Sequence, residues 1–152
     1  MIIEDDIVIE KVINELKKTP EFERAGALVI FIGFVKGNLG NNVRVHELIY
    51  EAYKPYAETK LSQLAKEYSK KPNVIDVKIY HKISSLKPKE TTVYIFVAAV
   101  DRNTAFNVAK EVLEKVKHET PIWKLERRND GEYWVLGDGK RVPRPKLIRE
   151  SQ

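Results

Sequence analysis

Apolar residues return at helical spacing in three stretches of this chain, and strand-like runs lie between them. In residues 5–18 the apolar positions Ile9, Val12, Ile13 and Leu16 form one helical stripe, which Thr19-Pro20 ends. Residues 25–35 are β-branched and apolar, broken by Gly33, and read as a buried strand. Residues 37–42 (Gly-Asn-Leu-Gly-Asn-Asn) are a loop, and residues 43–53 carry Val43, Val45, Leu48 and Tyr50 in near-alternation, so a hairpin is predicted between the two strands. Lys54-Pro55 opens a second helix with Ala57, Leu61, Leu64, Ala65 and Tyr68 on one face, and Lys71-Pro72 stops it. Residues 73–82 and 91–100 are strands joined by the loop 84–90; the run 93–100 is almost wholly apolar and belongs at the sheet centre. Asp101 to Thr104 offers helix-capping chemistry, and the third helix buries Ala105, Val108, Ala109, Val112, Leu113 and Val116. Polar turns at 129–131 and 137–139 flank a short edge strand, 133–136, and residues 140–152 form a tail that is extended or packs on a partner. The order α-β-β-α-β-β-α-β predicts an α+β sandwich in one domain, 1–152, with a mostly antiparallel sheet.

Composition narrows the setting. With 43% hydrophobic and 32% charged residues in 152, the chain can bury a real core and is not disordered. Its longest uncharged apolar run, 25–35, is too short to span a bilayer, and the acidic first ten residues are no signal peptide, so a cytoplasmic protein is expected. No cysteine is present, which removes disulfides, thiolate metal sites and cysteine nucleophiles together. Any sulfur this protein handles must arrive on something else. Only three histidines exist, so no zinc site built from the protein alone is expected; no other metal and no cofactor are expected either. A net charge of +5 and a pI near 9.3 favour anionic partners without choosing among nucleic acid, phosphorylated metabolite and acidic protein.

The densest chemistry lies in residues 117–126, where Lys117 and Lys124 flank Pro121 and Trp123 just after the third helix. A lysine at a helix end and another in the next extended segment can converge on one anion-binding pocket, with the Trp as a rigid wall. The same residues also fit a helix C-terminus with favourable lysine charge, a Pro stop and a core Trp. Lys36 leaves a buried strand into a Gly/Asn loop, which is either an anion-holding loop or a hairpin with an exposed lysine; no P-loop pattern follows it. Asp101-Arg102 precedes a helix N-terminus, suited to a phosphate or to a simple cap beside a surface Arg. Lys124, Arg127 and Arg128 form a basic cluster interrupted by Glu126. His81 reads as a hydrogen-bonding residue, and Tyr50, Tyr53 and Tyr56 as packing. There is no Ser-His-Asp set and no dinucleotide glycine pattern. Spacing by itself gives no reaction.

Five segments, in order, resemble the family of large, catalytic subunits of molybdopterin synthase, the MoaE family, over residues 26–135. Gly26-Ala27 through Phe31-Ile32-Gly33-Phe34-Val35-Lys36 is similar to the family's Gly-Ala…Phe-x-Gly-x-Val-Arg segment. Leu48-Ile49-Tyr50-Glu51-Ala52-Tyr53 with Ala57 is similar to its Tyr-Glu-Ala-Tyr helix entry, and His81-Lys82-Ile83 with Leu86 to its His-Arg-Ile-Gly-x-Leu turn. Arg102 and Ala105-Phe106 resemble its His-Arg-x-x-Ala-Phe element. Lys117, Pro121-Ile122-Trp123-Lys124 and Glu126 resemble its most specific signature, with Gly131 and Trp134 following.

The resemblance implies an α/β hammerhead-type fold with an additional small sheet. It implies conversion of cyclic pyranopterin monophosphate, an anionic pterin phosphate, into molybdopterin. Two dithiolene sulfurs are inserted, each delivered as the C-terminal Gly-Gly thiocarboxylate of a small ubiquitin-like sulfur-carrier subunit. A homodimer within a heterotetramer is the implied assembly, with no nucleic acid and no membrane. By the same resemblance Lys117 meets the thiocarboxylate, and Lys124 binds substrate and assists proton transfer. Phe34, Val35, Lys36, Asp101, Arg102, Leu125 and Glu126 complete the substrate site, Arg102 reaching over from the second protomer. Three departures stand out: Lys36 replaces the family Arg and loses its fork, Asp101 replaces a His, and Ser84 replaces a turn Gly. A basic nucleic-acid-binding module and an inactive paralogue are the competing readings.

Overall fold

Two sheets divide the strands between them. The computed structural model describes residues 1–145, so the last part of the predicted tail, 146–152, lies outside the described residues. In chain order the elements are β1 (Ile2–Ile3), α1 (Ile9–Lys17), a 3₁₀ turn (Pro20–Arg24), β2 (Ala27–Phe34), β3 (Asn38–Gly40), β4 (Val43–Ala52), α2 (Lys54–Ser69), β5 (Val74–Lys82), β6 (Ser85–Leu86), β7 (Thr91–Ala99), α3 (Arg102–Glu119), β8 (Ile122–Arg128), β9 (Gly131–Val135) and β10 (Arg141–Pro143). The first sheet runs β1-β5-β7-β2; the second runs β10-β9-β8-β4-β3, with β6 also pairing β4. Only β1 with β5 is parallel among these pairings. The architecture is the expected α+β one, with three helices and a mostly antiparallel arrangement.

β7 is buried on both faces because helices cover both. Val93, Ile95 and Val97 join Leu61, Leu64 and Tyr68 of α2 and Val108, Val112 and Val116 of α3 in one core. The alternate residues Tyr94 and Phe96 meet Val12 and Leu16 of α1 on the other side. This is the two-residue period of a strand serving two helix layers. Leu61 is fully buried, and such burial contributes about 2 kcal/mol. A third cluster, Val35, Val45, Leu48, Tyr50 and Leu86, packs β4 and β6 of the second sheet against the segment that follows β2.

The chain differs from its sequence reading in several places. β2 is an edge strand, half-buried, and does not form a hairpin with β4: it pairs β7, whereas β4 pairs β3, β6 and β8 in the other sheet. Hydrophobic alternation specifies which face a strand buries, not which strand it pairs with. The predicted loop instead folds as its own tight hairpin, β3–β4. Asn41 and Asn42 both have positive φ (51° and 62°), as a primed two-residue turn requires. α1 starts at Ile9 rather than near Asp5, because Asp6 is taken by the buried Lys82 ammonium and by the Tyr94 hydroxyl (3.1 Å). The strand at 133–136 is β9 and is not an edge, since β10 pairs along it. Tyr53 and Tyr56, read as packing, are exposed.

Candidate active site

Where the two sheets meet the end of α3, a cavity of about 600 Å³ opens, within the size range of small-molecule sites. Its lysines come from separate elements. Asp101 caps α3, its carboxylate accepting from Thr104 N and Thr104 Oγ1 at 2.9 Å each. The helix runs to Glu119, and Thr120, before Pro121, is forced to extended backbone (φ −87°, ψ 130°). Lys117 therefore sits in the last helical turn, where the helix dipole favours a cation. Two residues past Thr120 the chain is already β8, and its cavity-facing positions are Ile122, Lys124 and Glu126.

Lys124 is fixed by its neighbours across the sheet. It pairs in register with Tyr50 on β4 and Val135 on β9, and all three line the cavity. Burial pushes its amine below the ordinary lysine range, and the nearby Lys117 ammonium pushes it further down. Among the described residues neither Lys117 nor Lys124 makes an ion pair. Opposite them, Phe34 (58% exposed), Val35 and Lys36 leave the end of β2. Gly37 beyond Lys36 lies so close to Pro88 that an added Cβ would stand 2.8 Å from it, which pins this segment against the chain entering β7.

At the cavity floor His81 edges onto Tyr50, ring centroids 5.1 Å apart, and its Nδ1 bonds to the Lys82 carbonyl at 2.7 Å. Burial pushes His81 down to about 4, with Lys124 adding to the effect, so the ring is neutral and Nδ1–H is the donor. Burial also raises the Tyr50 phenol well above its ordinary value. Four cations (Lys36, Lys117, Lys124 and Arg141) line the cavity with one carboxylate, Glu126. The arrangement suits a ligand carrying more than one negative charge. No group of metal-ligating side chains occurs among the described residues.

Six of the site residues read from the sequence thus share one wall or another of this cavity: Phe34, Val35, Lys36, Lys117, Lys124 and Glu126. Three do not line it. Leu125 points to the opposite face of β8, packed and 1% exposed. Asp101 and Arg102 lie at the other end of α3 from Lys117, roughly 22 Å along the helix axis, so one chain cannot bring Arg102 and Lys117 to the same ligand. Trp123 is neither the cavity wall nor a core residue: it alternates outward and is 56% exposed. Of the basic cluster, Arg127 pairs with Glu47 and Glu132, and Arg128 with Asp130, which leaves only Lys124 uncommitted. Three titratable lining residues escaped the sequence reading as site residues: Tyr50, His81 and Arg141. Another depression, about 700 Å³, lies between α2 and α3, but its Glu119 and Glu114 already pair with Lys115 and His118.

The profile of the family described as MoaE protein matches residues 2–119. The chain belongs to this family. A molybdopterin synthase catalytic subunit of Pyrococcus abyssi is 36% identical over 119 residues, 78% of each chain. The crystal structure of molybdopterin synthase from Staphylococcus aureus superposes with a TM-score of 0.74 at 33% identity, covering 88% of this chain and 93% of that one. A chain in the protein-protein complex of subunits 1 and 2 of molybdopterin-converting factor from Helicobacter pylori shares the fold at 18% identity (TM-score 0.63; 99% and 90% covered). The MoaE profile ends at the last residue of α3, so Lys124 and everything after it rest on the pairwise likenesses and on the geometry above. Among the described residues of this MoaE-family chain, no helix is long and apolar enough to cross a membrane.

Proposed function

We propose that this chain is the catalytic subunit of a molybdopterin synthase. It accepts cyclic pyranopterin monophosphate and inserts two sulfurs to build the dithiolene. The observation that carries this reading is the pair of lysines: Lys117 from α3 and Lys124 from β8, both unpaired among the described residues, face one cavity in a chain of this family. With no cysteine in the chain, sulfur must enter on a partner, and the C-terminal thiocarboxylate of a small ubiquitin-like subunit is the donor that fits. The donor tail and the substrate phosphate are both anions, which explains why one small cavity collects Lys36, Lys117 and Lys124 beside the Arg141–Glu126 pair.

Lys117, at the cavity mouth and exposed, orients the incoming thiocarboxylate and stabilises the charge that develops as sulfur moves from the acyl carbon to the pterin side chain. In each transfer the thiocarboxylate sulfur bonds to a side-chain carbon of the pterin as that carbon's oxygen leaves. Water then cleaves the acyl–sulfur bond, so that the sulfur stays on the pterin and the tail departs as a carboxylate. Lys124 is the better acid–base group, because burial and Lys117 bring its amine closer to working pH. Phe34 offers the pterin an apolar plate beside Lys36, and Glu126 shapes the site through its pairing with Arg141. Arg102, out of reach within its own chain, completes the phosphate site of a second protomer in a dimer, with Asp101 capping the helix that carries it.

The deciding experiment combines purified protein, thiocarboxylated small subunit and pterin precursor. Dithiolene product is expected; its absence with an authentic partner refutes the proposal.

A further inference from the structure

Lys124 and Glu126 stand two residues apart on one face of β8, and a half-buried lysine beside a buried carboxylate ordinarily pairs with it. Here Glu126 is held by arginines instead. Arg141 of β10 places Nε 2.7 Å from Oε1 and Nη2 3.3 Å from Oε2, a two-pronged contact, and Arg128 Nη1 lies 3.8 Å from Oε1. The turn that delivers Arg141 is seated against the end of α3: a Cβ on Gly137 would stand 2.6 Å from the Lys117 carbonyl oxygen. The turn is closed by Leu136 N–H donating to the Lys140 carbonyl (2.8 Å) and Gly139 N–H to the Leu136 carbonyl (2.9 Å). One short segment therefore touches the backbone of one cavity lysine and ties up the carboxylate nearest the other.

We propose that Arg141 is a positioning residue for Lys124: its fork occupies both oxygens of Glu126, so the Lys124 ammonium stays unpaired and available to the anion that enters the cavity. The consequence for turnover rests on the function proposed above; the charge arrangement itself does not. The charged and titratable groups facing Lys124 are Lys117 on α3, Glu126 on its own strand, Arg141 on β10, Lys36 after β2, Tyr50 on β4 and His81 on β5. Of these, Glu126 draws the Lys124 proton affinity up, whereas Lys117 and Arg141 hold it down. Without Arg141 the balance passes to Glu126, and Lys124 closes onto it.

The test needs no substrate. The intact protein, its lysines reductively methylated with ¹³C, is titrated by NMR, and the Lys124 resonance is identified by its loss in Lys124→Arg. In Arg141→Gln the Lys124 midpoint is expected to rise by about one pH unit or more. Arg141→Lys keeps the charge but not the fork, and its midpoint falls between the two. In Arg141→Gln/Glu126→Gln it returns to the wild-type value or below, a reversal that mere loosening of β10 does not produce. An unmoved midpoint in either folded single variant, or a raised one in the double variant, overturns the proposal. In the sulfur-transfer assay Arg141→Gln is expected to lower kcat at least about tenfold with little change in KM. A wild-type protein inactive in that assay counts against the proposed function while leaving the titration result standing. An active wild type with an unimpaired Arg141→Gln counts against the catalytic role of Arg141.

Discussion

Lys117 and His81 sit at the same cavity and answer to opposite physics. Lys117 is exposed and ready to meet an anion, so Lys117→Ala is expected to lower turnover at least about a hundredfold. Its circular dichroism melt should stay at the wild-type temperature, because the residue is exposed and belongs to none of the three core clusters. His81 is buried and held neutral, with its pKa depressed to about 4 from an ordinary value of 6.5. Above pH 6.5 it is uncharged whether folded or unfolded, and no stability is lost. As pH falls from 6.5 toward 4 the unfolded chain takes up a proton that the folded chain refuses, and stability declines by up to about 3 kcal/mol. Urea denaturation at pH 7 and pH 4.5 is expected to show this drop in wild type and a smaller one in His81→Gln. At this scale the lysine pair was legible, because Lys117, Pro121 and Lys124 are local in sequence. Arg141 was not: it reaches Glu126 across 15 positions, through a strand pairing that no local pattern announces.

Among the elements, α3 most nearly matches its sequence. Its apolar positions follow a 3.6-residue period, its cap is an Asp, and a Pro lies just past its end. Asp101→Ala is expected to cost about 1 kcal/mol in urea denaturation, with Asp101→Asn close to wild type, since both Asp and Asn accept from the third helical amide. Equal losses in the two variants would show that the charge, not the cap, matters there. The hairpin expected between β2 and β4 shows what an element's own residues leave open. Both strands were located correctly, but Phe34 to Gly37 carries the chain from one sheet to the other, held by Val35 N–H to the Glu90 carbonyl (2.9 Å) and Lys89 N–H to the Val35 carbonyl (2.9 Å). Those partners are more than 50 residues away in sequence, so nothing near Phe34 reports them.

For the whole molecule, the separation of Arg102 from Lys117 along α3 makes assembly a part of the chemistry proposed here. Lys117→Ala and Arg102→Ala proteins, each inactive as homodimers, are expected to regain activity when dissociated and reassociated together. A hybrid dimer of two-fold symmetry has one intact site of two, so random mixing should recover about a quarter of wild-type activity. No recovery despite confirmed hybrid formation would place Arg102 outside the site. The sequence by itself determined the three helices, the positions of β2, β4, β5 and β7, the absence of internal sulfur chemistry and the family's lysine signature. All of these depend on residue type and near-neighbour spacing. The tertiary structure decided which strands pair, which way Trp123 and Leu125 face, and that Arg141 occupies Glu126 beside Lys124. Those outcomes come from contacts between distant segments, where the free energy of packing and ion pairing is set by the partner a residue meets and not by the residue alone.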